Sequence, residues 1–485
     1  MKNYDSAMDN VYNSLVNAAS RWPDNVVVFD AYGQLTYSEL LAHTNTLKTH
    51  LLTSGLQPGM GLGIIAGNSR YFIIALYAGV GCGSVVMPVS PLQKEKEIAG
   101  SIAEANLHMV IADAPEFATF GENISTTDFF PQPLYISKTK RDPKHLTASF
   151  VQDAAFMRFT SGTTGKAKGV IISNKAAMQR VEAANEALHL SEKDRVVWVL
   201  PMAYHFIVSI VLYLKVGAGI IINDSFLAES IIESINEKKG TFLYAAPMHI
   251  KLLAGFTPKV QLPSLSKVIS TTTAISAAVC KAFETKYKIP VSQAYGIIEI
   301  GLPIINLQKS KTSPEAVGYA LPAYDVAILD QHLNPLPDET IGLLGIKGPG
   351  MFDGYLSPPT LKEDVLKNGW FMTGDYAVRN KDSLIIIRGR EKSMINVVGN
   401  KVFPGDVEDV VNTYAGIKES RAYAKVHPLM GEVVGLEIVI EPETQIDTEA
   451  LISYCRQSLS SFKVPQFVSV VDKIEITGSG KIKRA

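Results

Sequence analysis

The sequence predicts an α/β protein of layered sheets, followed by a small α+β unit. Short β-branched runs alternate with segments of helical period through most of the chain, which is typical of parallel sheets covered by helices. The 485 residues are 47% hydrophobic and 19% charged, a composition that supports a large core. A charged, glycine-containing stretch then separates roughly the last ninety residues from the rest.

The predicted strands are short runs rich in valine and isoleucine. They lie at 26–29, 62–65, 109–111, 196–199, 220–222 and 268–269. A helix is predicted between Thr36 and Gly55, because Thr36 and Glu39 have the spacing of a capping box and the apolar residues that follow share one face.

Composition excludes several classes of protein. Its 46 Lys+Arg and 47 Asp+Glu give a net charge of -1, whereas recognition of nucleic-acid phosphates needs a basic excess. The three cysteines lack the spacing of a disulfide framework or a zinc site.

The apolar runs 72–89 and 206–222 contain Pro88 and Lys215, so they predict buried helix-to-strand passages and no membrane span. No signal-peptide pattern opens the chain, and a cytoplasmic protein is expected.

A change of character at residues 382–392 predicts the domain boundary. An apolar strand-like run is followed there by Arg-Gly-Arg-Glu-Lys. We assign 1–388 to an N-terminal domain, 389–392 to a hinge and 393–485 to a C-terminal domain. The last contains a predicted strand at 437–440 and a predicted helix at 448–459, enough for a small α+β fold.

The segment 160–169 carries the strongest chemical signal from the residues alone. It contains four hydroxyl side chains, three glycines and two lysines. Glycines let backbone N–H groups converge on an anion, hydroxyls donate hydrogen bonds, and lysines neutralise charge. A simple surface turn is the alternative. The segment is not a P-loop, because Thr160 and Ala167 occupy the positions of the first glycine and the final Ser or Thr.

Seven segments occur in an order that resembles the motifs of the adenylate-forming superfamily, which contains acyl-CoA synthetases, adenylation domains and luciferases. The segment 160–169 is similar to the signature loop of that family, and 295–299 is similar to its Tyr-Gly-x-Thr-Glu motif. The others are 35–40, 369–375, 389–392, 399–404 with 407–408, and 478–484. Together they span nearly the whole chain.

The resemblance implies a large N-terminal domain of the acyl-CoA synthetase type and a small, mobile C-terminal domain. It implies a reaction in which a carboxylate attacks the α-phosphate of ATP, pyrophosphate leaves, and a thiol then displaces AMP from the acyl-adenylate. The implied cofactors are ATP, Mg²⁺ and either CoA or the phosphopantetheine of a carrier protein. Positioning and charge stabilisation dominate such phosphoryl chemistry.

The resemblance also implies which residues bind the nucleotide phosphates. Glu299 is expected to bind Mg²⁺, and Lys168 is expected to act as a point charge on the β- and γ-phosphates. The other expected phosphate contacts belong to the signature loop: Thr160, Ser161, Gly162, Thr163, Thr164 and Gly165.

Other implied contacts come from the remaining motifs. Asp375 is expected to accept hydrogen bonds from the ribose, Arg390 to donate to ribose or phosphate, and the Tyr295 ring to pack against adenine. Lys481 is expected to bridge the carboxylate and the α-phosphate during adenylation. Rotation about Lys392 would then exchange Lys481 for the loop at 399 before thiol attack. Lys481, Lys168 and Glu299 are the expected catalytic residues.

The expected acid-binding residues are mostly apolar. Ile207 stands where amino-acid-activating relatives carry an aspartate, and an unpaired buried ammonium would cost roughly 3–5 kcal/mol, so an α-amino acid is disfavoured. His205 is the polar candidate, with a satisfied core histidine as the alternative. The expected contacts are His205, Phe206, Ile207, Ser209, Met248, Thr271, Thr272, Ile297 and Leu302.

Two departures from the family pattern affect the expected site. Thr271, Thr272 and Thr273 stand where the pattern has a Gly-Gly-Ala strand end, and the two threonine side chains at the glycine positions should constrict the acid slot or lend it hydroxyls, which favours a short or flat acid. Ile298 replaces a threonine whose hydroxyl contacts the AMP phosphate.

The leading hypothesis is an ATP-dependent ligase that joins an apolar aryl or fatty acid to CoA. A stand-alone adenylation enzyme that loads a carrier protein is the first alternative, and a non-catalytic acyl-nucleotide binding protein is the second. The expected partners are a small carboxylic acid with CoA or a carrier protein, and neither nucleic acid nor membrane.

Overall fold

A computed structural model of the chain describes residues 10–128, 130–160, 168–428, 430–475 and 482. The chain forms two compact units. The first comprises residues 1–314, 320–325 and 347–369, and the second comprises 315–319, 326–346 and 370–485. Within the described ranges, no helix is long and apolar enough to cross a membrane.

The helices have the following bounds: α1 Val11–Arg21, α2 Tyr37–Thr53, α3 Arg70–Gly81, α4 Glu95–Glu104, α5 Asn174–Leu188, α6 Leu212–Lys215, α7 Ala228–Lys238, α8 Pro247–Gly255, α9 Ala277–Tyr287, α10 Lys362–Val365, α11 Pro404–Val411 and α12 Thr448–Ser458.

The strands have the following bounds: β1 Val26–Asp30, β2 Gly33–Thr36, β3 Gly61–Ile65, β4 Val85–Val89, β5 Leu107–Ala112, β6 Glu122–Thr126, β7 Tyr135–Lys138, β8 Ala154–Phe159, β9 Gly169–Ser173, β10 Arg195–Trp198, β11 Gly219–Ile222, β12 Phe242–Ala245, β13 Lys267–Ser270, β14 Val291–Ile297, β15 Gly301–Ile305, β16 Tyr319–Ala320, β17 Asp325–Leu329, β18 Gly342–Lys347, β19 Gly354–Tyr355, β20 Thr360–Leu361, β21 Phe371–Arg379, β22 Ile385–Arg390, β23 Ile395–Val397, β24 Asn400–Val402, β25 Ile417–His427, β26 Gly431–Ile440 and β27 Phe467–Val470.

Two mixed sheets build the first unit. One has the order β16-β15-β14-β13-β12-β10-β11-β1-β2, and its strands from β14 to β1 pair in parallel. Its apolar face packs on helices α7 to α9 through a cluster that includes Val197, Leu243, Val268, Ile250 and Phe283. The other has the order β20-β19-β9-β8-β4-β3-β5-β7-β6. The α/β prediction is confirmed, because each β-branched run is a strand covered by helices.

The sequence signals for single elements also hold. Helix α2 begins after Thr36, whose side chain accepts from the Glu39 N–H while Glu39 accepts from the Thr36 N–H, so the capping box is complete. The apolar run 72–89 is confirmed as a buried passage from α3 to β4, and the run 206–222 as one into β11. Their apolar side chains serve the core of the first unit.

The second unit contains the sheet β17-β18-β21-β22 and the sheet β24-β23-β26-β25, with β27 paired to β26. A separate hydrophobic core lies between the sheet β24-β23-β26-β25 and helices α11 and α12. It includes Ile395, Val407, Leu436, Leu451 and Cys455. The predicted hinge at 389–392 ends β22 and enters a single 3₁₀ turn, Glu391–Ser393. The domain boundary at this point stays a prediction.

Candidate active site

A hairpin carries the segment predicted to bind phosphate. Strands β8 and β9 pair antiparallel with Phe159 opposite Gly169, so the segment 160–168 joins their ends. The Thr160 N–H donates to the Lys168 carbonyl at 3.0 Å and closes the base of the loop. The predicted contacts Ser161, Gly162, Thr163, Thr164 and Gly165 lie outside the described residues.

Lys168 and Glu299 are joined by a tyrosine. The Lys168 Nζ lies 4.6 Å from the centroid of the Tyr355 ring, a cation–π distance. The Tyr355 hydroxyl donates to Glu299 Oε1 at 3.2 Å. Burial, followed by the charge of Glu299, raises the pKa of Tyr355, so the phenol stays protonated and remains a donor. We call Lys168, Tyr355 and Glu299 the phosphate end of the site.

A buried arginine supports the turn that carries Glu299. Glu299 lies between β14 and β15, and the neighbouring Ile298 carbonyl accepts from Arg180 Nη1 at 2.9 Å. Arg180 Nε donates to the Gly350 carbonyl at 2.8 Å. Gly350 has a φ of +66°, and a Cβ there would lie 2.6 Å from the backbone nitrogen of Arg180, so only glycine fits this approach.

The charge of Glu299 reaches two arginines. Burial lowers the pKa of Arg180 to about 10, and nearby acidic groups that include Glu299 oppose that shift. Burial likewise lowers the pKa of Arg158, opposed by Tyr204 and Glu299. Both guanidiniums stay charged near neutral pH, so two buried cations lie near the Glu299 side chain.

The loop that leads to His205 is fixed from two sides. Arg158 Nη1 donates to the Tyr204 carbonyl at 2.6 Å, and Asn68 accepts from the Met202 N–H at 2.8 Å. The His205 N–H donates to the Met202 carbonyl at 3.1 Å. His205 itself is half-buried at the end of this loop.

A single π-helical turn, Ile207–Val211, follows His205. The Val211 N–H donates to the Phe206 carbonyl at 2.9 Å, and Val208 has a non-helical ψ of 25°. Such turns are rare and frequent at functional sites. The Val208 Cγ1 would lie 3.6 Å from a Cβ on Gly301, so the turn approaches the start of β15. Phe206 packs edge-on against Phe156 with ring centroids 5.2 Å apart.

Most of the predicted acid-binding residues are closely packed. Phe206, Ile207, Ser209, Thr271 and Leu302 are buried, His205, Thr272 and Ile297 are half-buried, and Met248 is 51% exposed at the start of α8. We call these predicted residues the acyl end of the site. Its polar atoms include Ser209 Oγ, which is buried and has no hydrogen-bond partner among the described residues.

Two of the threonines predicted to replace glycines have distinct environments. Thr271 Oγ1 accepts from the Tyr244 hydroxyl at 3.3 Å, and Tyr244 stacks on Trp198. Thr272 has a φ of +77°, a left-handed conformation that is costly for a β-branched residue and natural for glycine. The backbone at Thr272 therefore keeps the shape of a glycine position.

The second unit holds the predicted ribose-binding pair. Asp375 and Arg390 face each other across β21 and β22, and Arg390 Nε lies 2.8 Å from Asp375 Oδ1. The Asp375 N–H donates to Thr373 Oγ1 at 3.1 Å. The Asp375 side chain is buried, while nearly half of the Arg390 side chain is exposed. Lys392 is exposed, and Lys481 lies outside the described residues.

The segment beside the predicted hinge is tied to the C-terminal sheet of the same unit. Asp406 accepts from Arg388 Nη2 and from Lys463 Nζ, each at 2.7 Å. Gly389 has a φ of +153°, and a Cβ there would lie 2.9 Å from the Phe403 ring. Lys401 Nζ donates to the Tyr376 hydroxyl at 3.0 Å.

Sequence reasoning missed three residues that hold the site. Tyr355 lies in a two-residue strand, too short to show a pattern. Arg180 is fully buried in α5, although an arginine on a helix normally indicates a solvent-facing position. Arg158 sits in β8 next to the signature loop, and its position just before that loop was the one available signal.

Comparison with known proteins decides the family. The model of the AMP-binding enzyme family matches residues 15–356, and that of the AMP-binding enzyme C-terminal domain matches 406–481. The chain belongs to the AMP-binding enzyme family. The resemblance drawn from the motifs is thereby confirmed.

Relatives of this AMP-binding family member differ in their named activities. It is 25% identical over 505 residues to a naringenin synthase of Pestalotiopsis fici, covering 97% of this chain but only 18% of that protein. It is 24% identical over 532 residues to a long-chain-fatty-acid–CoA ligase of Yersinia pestis, covering 98% and 93%. It is 24% identical over 456 residues to a feruloyl-CoA synthase of an Amycolatopsis species, covering 92% of each.

Solved structures show the same fold. The amide bond synthetase McbA from Marinactinospora thermotolerans superposes with a TM-score of 0.84 at 23% identity, covering 97% of this chain and 98% of that one. ATP-bound MatB from Rhodopseudomonas palustris gives a TM-score of 0.84 at 22% identity, covering 98% and 97%. A large N-terminal α/β domain and a smaller C-terminal domain are thus the shared architecture.

Proposed function

We propose that this enzyme activates an apolar carboxylic acid with ATP and then transfers the acyl group to the thiol of CoA. A carboxylate oxygen forms a bond to the α-phosphorus, and the bond from that phosphorus to pyrophosphate breaks. The thiol sulfur then bonds to the acyl carbon, AMP leaves, and the thiol gives up its proton. The phosphate end, where Lys168, Tyr355 and Glu299 meet, is the observation that supports this most directly.

Each nucleotide contact has a proposed residue. The backbone and hydroxyls of Thr160 to Gly165, together with Lys168, hold the β- and γ-phosphates. Tyr295 packs against adenine, and the Asp375 carboxylate accepts from the ribose hydroxyls beside Arg390. Lys481 neutralises the charge that develops at the α-phosphate. Lys392 is the proposed pivot between the two half-reactions.

The residues at the phosphate end fit Mg²⁺. No group of three or more His, Cys, Asp or Glu side chains that could hold a metal exists within the described part of the chain. Mg²⁺ needs no such cage, because it takes one or two carboxylates and completes its shell with phosphate oxygens and water. Glu299 supplies one half-buried carboxylate of this kind. When bound, Mg²⁺ would neutralise phosphate charge.

The acid is proposed to be apolar and either short or flat. Buried Ile207 offers no carboxylate for an α-ammonium, and Phe206 and Leu302 are also buried and apolar. Thr271 and Thr272 add bulk where the family pattern has glycine. Relatives named for long-chain fatty acids and for feruloyl groups support an aryl or fatty carboxylate, while the preference for a short or flat one rests on the two threonines.

Two alternatives remain for the acceptor and for catalysis. A carrier-protein phosphopantetheine carries the same thiol as CoA, so a loading enzyme would use the same site. A non-catalytic acyl-nucleotide binding protein is opposed by the presence of Lys168, Glu299, Asp375, Arg390 and Lys481.

One incubation tests the proposal. Purified protein receives ATP, Mg²⁺ and an acid panel, and then CoA, a holo-carrier protein or an amine in separate reactions. Acid-dependent pyrophosphate release followed by a thioester with CoA is the expected result. A thioester with the carrier alone, or an amide alone, would replace the proposed acceptor, and absence of pyrophosphate release would support the binding protein.

A further inference from the structure

Tyr355 contacts both charged residues of the phosphate end. We propose that Tyr355 is a positioning residue that couples Lys168 to Glu299, an inference that rests on the proposed function. Its ring holds the lysine at the end of the signature loop, while its hydroxyl fixes one oxygen of the carboxylate.

Strand register places the ring beneath the lysine. Strand β19 pairs antiparallel with β9, with Tyr355 opposite Val170. Lys168 precedes Val170 by two residues, so the two side chains are diagonal neighbours on one face of the sheet. The Leu356 N–H donates to the Gly169 carbonyl at 2.8 Å and holds this register beyond the strand. The contact at 4.6 Å is therefore built into the sheet.

The hydroxyl reaches Glu299 because the turn and β19 are also tied together. The Phe352 N–H donates to the Glu299 carbonyl at 2.6 Å, and the Phe352 ring lies 4.7 Å from the Tyr355 ring. The Tyr355 hydroxyl then donates a hydrogen bond to Glu299 Oε1 at 3.2 Å. A carboxylate with one oxygen fixed in this way presents the other oxygen in a defined direction.

The ring and the hydroxyl of Tyr355 therefore have different roles. An exposed lysine has many rotamers, and holding it over a ring lowers the entropy lost when it meets a phosphate. A carboxylate that is already oriented by a hydrogen bond loses less on meeting a cation. The ring therefore serves phosphate binding with or without Mg²⁺, whereas the hydroxyl serves only the Mg²⁺-dependent part.

Calorimetry of ATP binding separates the two roles. The affinity for ATP is measured with excess Mg²⁺ and with EDTA, for wild type, Tyr355→Phe, Tyr355→Leu and the control Tyr287→Phe. The control removes another buried hydroxyl of the first unit, one that donates to the Leu253 carbonyl at 2.9 Å. Thermal unfolding of each variant checks that the fold is kept.

Tyr355→Phe should leave the affinity for ATP in EDTA unchanged. It should reduce the increase in ATP affinity that Mg²⁺ produces by about tenfold. Tyr355→Leu should show that same loss and should also weaken binding in EDTA by about threefold. Tyr287→Phe should keep the wild-type gain. A full Mg²⁺ gain in Tyr355→Phe, or an equal loss with and without Mg²⁺, would overturn the coupling.

A double-mutant cycle guards against a general structural effect. Glu299→Gln alone should abolish most of the Mg²⁺ gain, and adding Tyr355→Phe should then change it no further. A further loss of the same size in the double variant would show that Tyr355 acts elsewhere. A wild-type protein that binds no ATP at all would overturn the proposed function and this inference with it.

Discussion

The phosphate end and the acyl end of the site differ in how they follow the family pattern. At the phosphate end, Lys168 and Glu299 keep the motif residues, and the register of β9 with β19 sets their distance through Tyr355. At the acyl end, Thr272 keeps only the glycine-like backbone and adds a side chain. We therefore expect that the charged contacts at the phosphate end determine the rate of adenylation, and that the threonine side chains at the acyl end determine which acid is accepted.

The largest expected effect is the loss of adenylation when the proposed catalytic lysine, Lys481, is removed. Lys481→Ala should lower acid-dependent pyrophosphate exchange by about 10²–10³-fold, because a preorganised charge at the α-phosphate is lost. Lys483→Ala, two residues away in the same basic tail, should leave the rate unchanged. Equal rates for wild type and Lys481→Ala would show that the lysine has no role in adenylation.

The next effect concerns the carboxylate of the phosphate end. Glu299→Gln should raise the Mg²⁺ concentration needed for half-maximal pyrophosphate exchange by about tenfold to a hundredfold, since an amide is a poor Mg²⁺ ligand. Glu284→Gln, at a surface pair with Lys311, is the matched control and should behave as wild type. An unchanged Mg²⁺ requirement in Glu299→Gln would remove Glu299 from the metal site.

The acyl end is tested by restoring a glycine. Thr272→Gly should raise the free energy of unfolding by about 1 kcal/mol, because glycine adopts the φ of +77° without strain. It should also raise kcat/KM for thick, branched acids by about tenfold relative to flat acids, because removing one pocket side chain typically changes the ratio of kcat/KM values by that factor.

Thr273→Gly provides the control for both readouts. Thr273 is exposed and has no positive φ, so glycine there should lower stability by adding freedom to the unfolded chain. Its acid profile should match wild type. If Thr272→Gly loses stability as Thr273→Gly does, the strain assigned to Thr272 is wrong.

The smallest expected effect concerns Ile298, which lies in the sequence between Ile297 of the acyl end and Glu299 of the phosphate end. Ile298→Thr restores the hydroxyl of the family motif and should lower KM for ATP about fivefold, in line with one added hydrogen bond. Ile298→Val has nearly the same shape as threonine without the hydroxyl, and should leave KM unchanged. A similar fall in KM for both variants would assign the effect to shape.

Much of the fold could be predicted from the sequence. The capping box at Thr36 and the β-branched strands are local signals, and the structure contains the elements that they predict. Motif order predicts Lys168 and Glu299 as site residues, and the structure places both in contact with Tyr355. Tyr355 could not be found in this way, because its contact with Glu299 depends on the pairing of a two-residue strand.

The acyl end stays a prediction from residue type, and the backbone conformation in this region could not be predicted from the sequence. Ile207 and Phe206 indicated an apolar slot, but the π turn at Ile207–Val211 has no period that a sequence pattern would show. The strained φ of Thr272 was equally hidden, because a threonine predicts a negative φ. The burial of Arg180 depends on its hydrogen bonds to two backbone carbonyls, which no sequence pattern shows.

Acid-dependent pyrophosphate exchange by the wild-type protein reports whether the protein adenylates an apolar acid. The assay compares flat aryl acids, short and long fatty acids, branched acids and α-amino acids, each with ATP and Mg²⁺. We expect exchange that requires an apolar acid, is fastest with short or flat acids, and is absent with α-amino acids. Exchange with no acid of the panel, or fastest exchange with an α-amino acid, would contradict it.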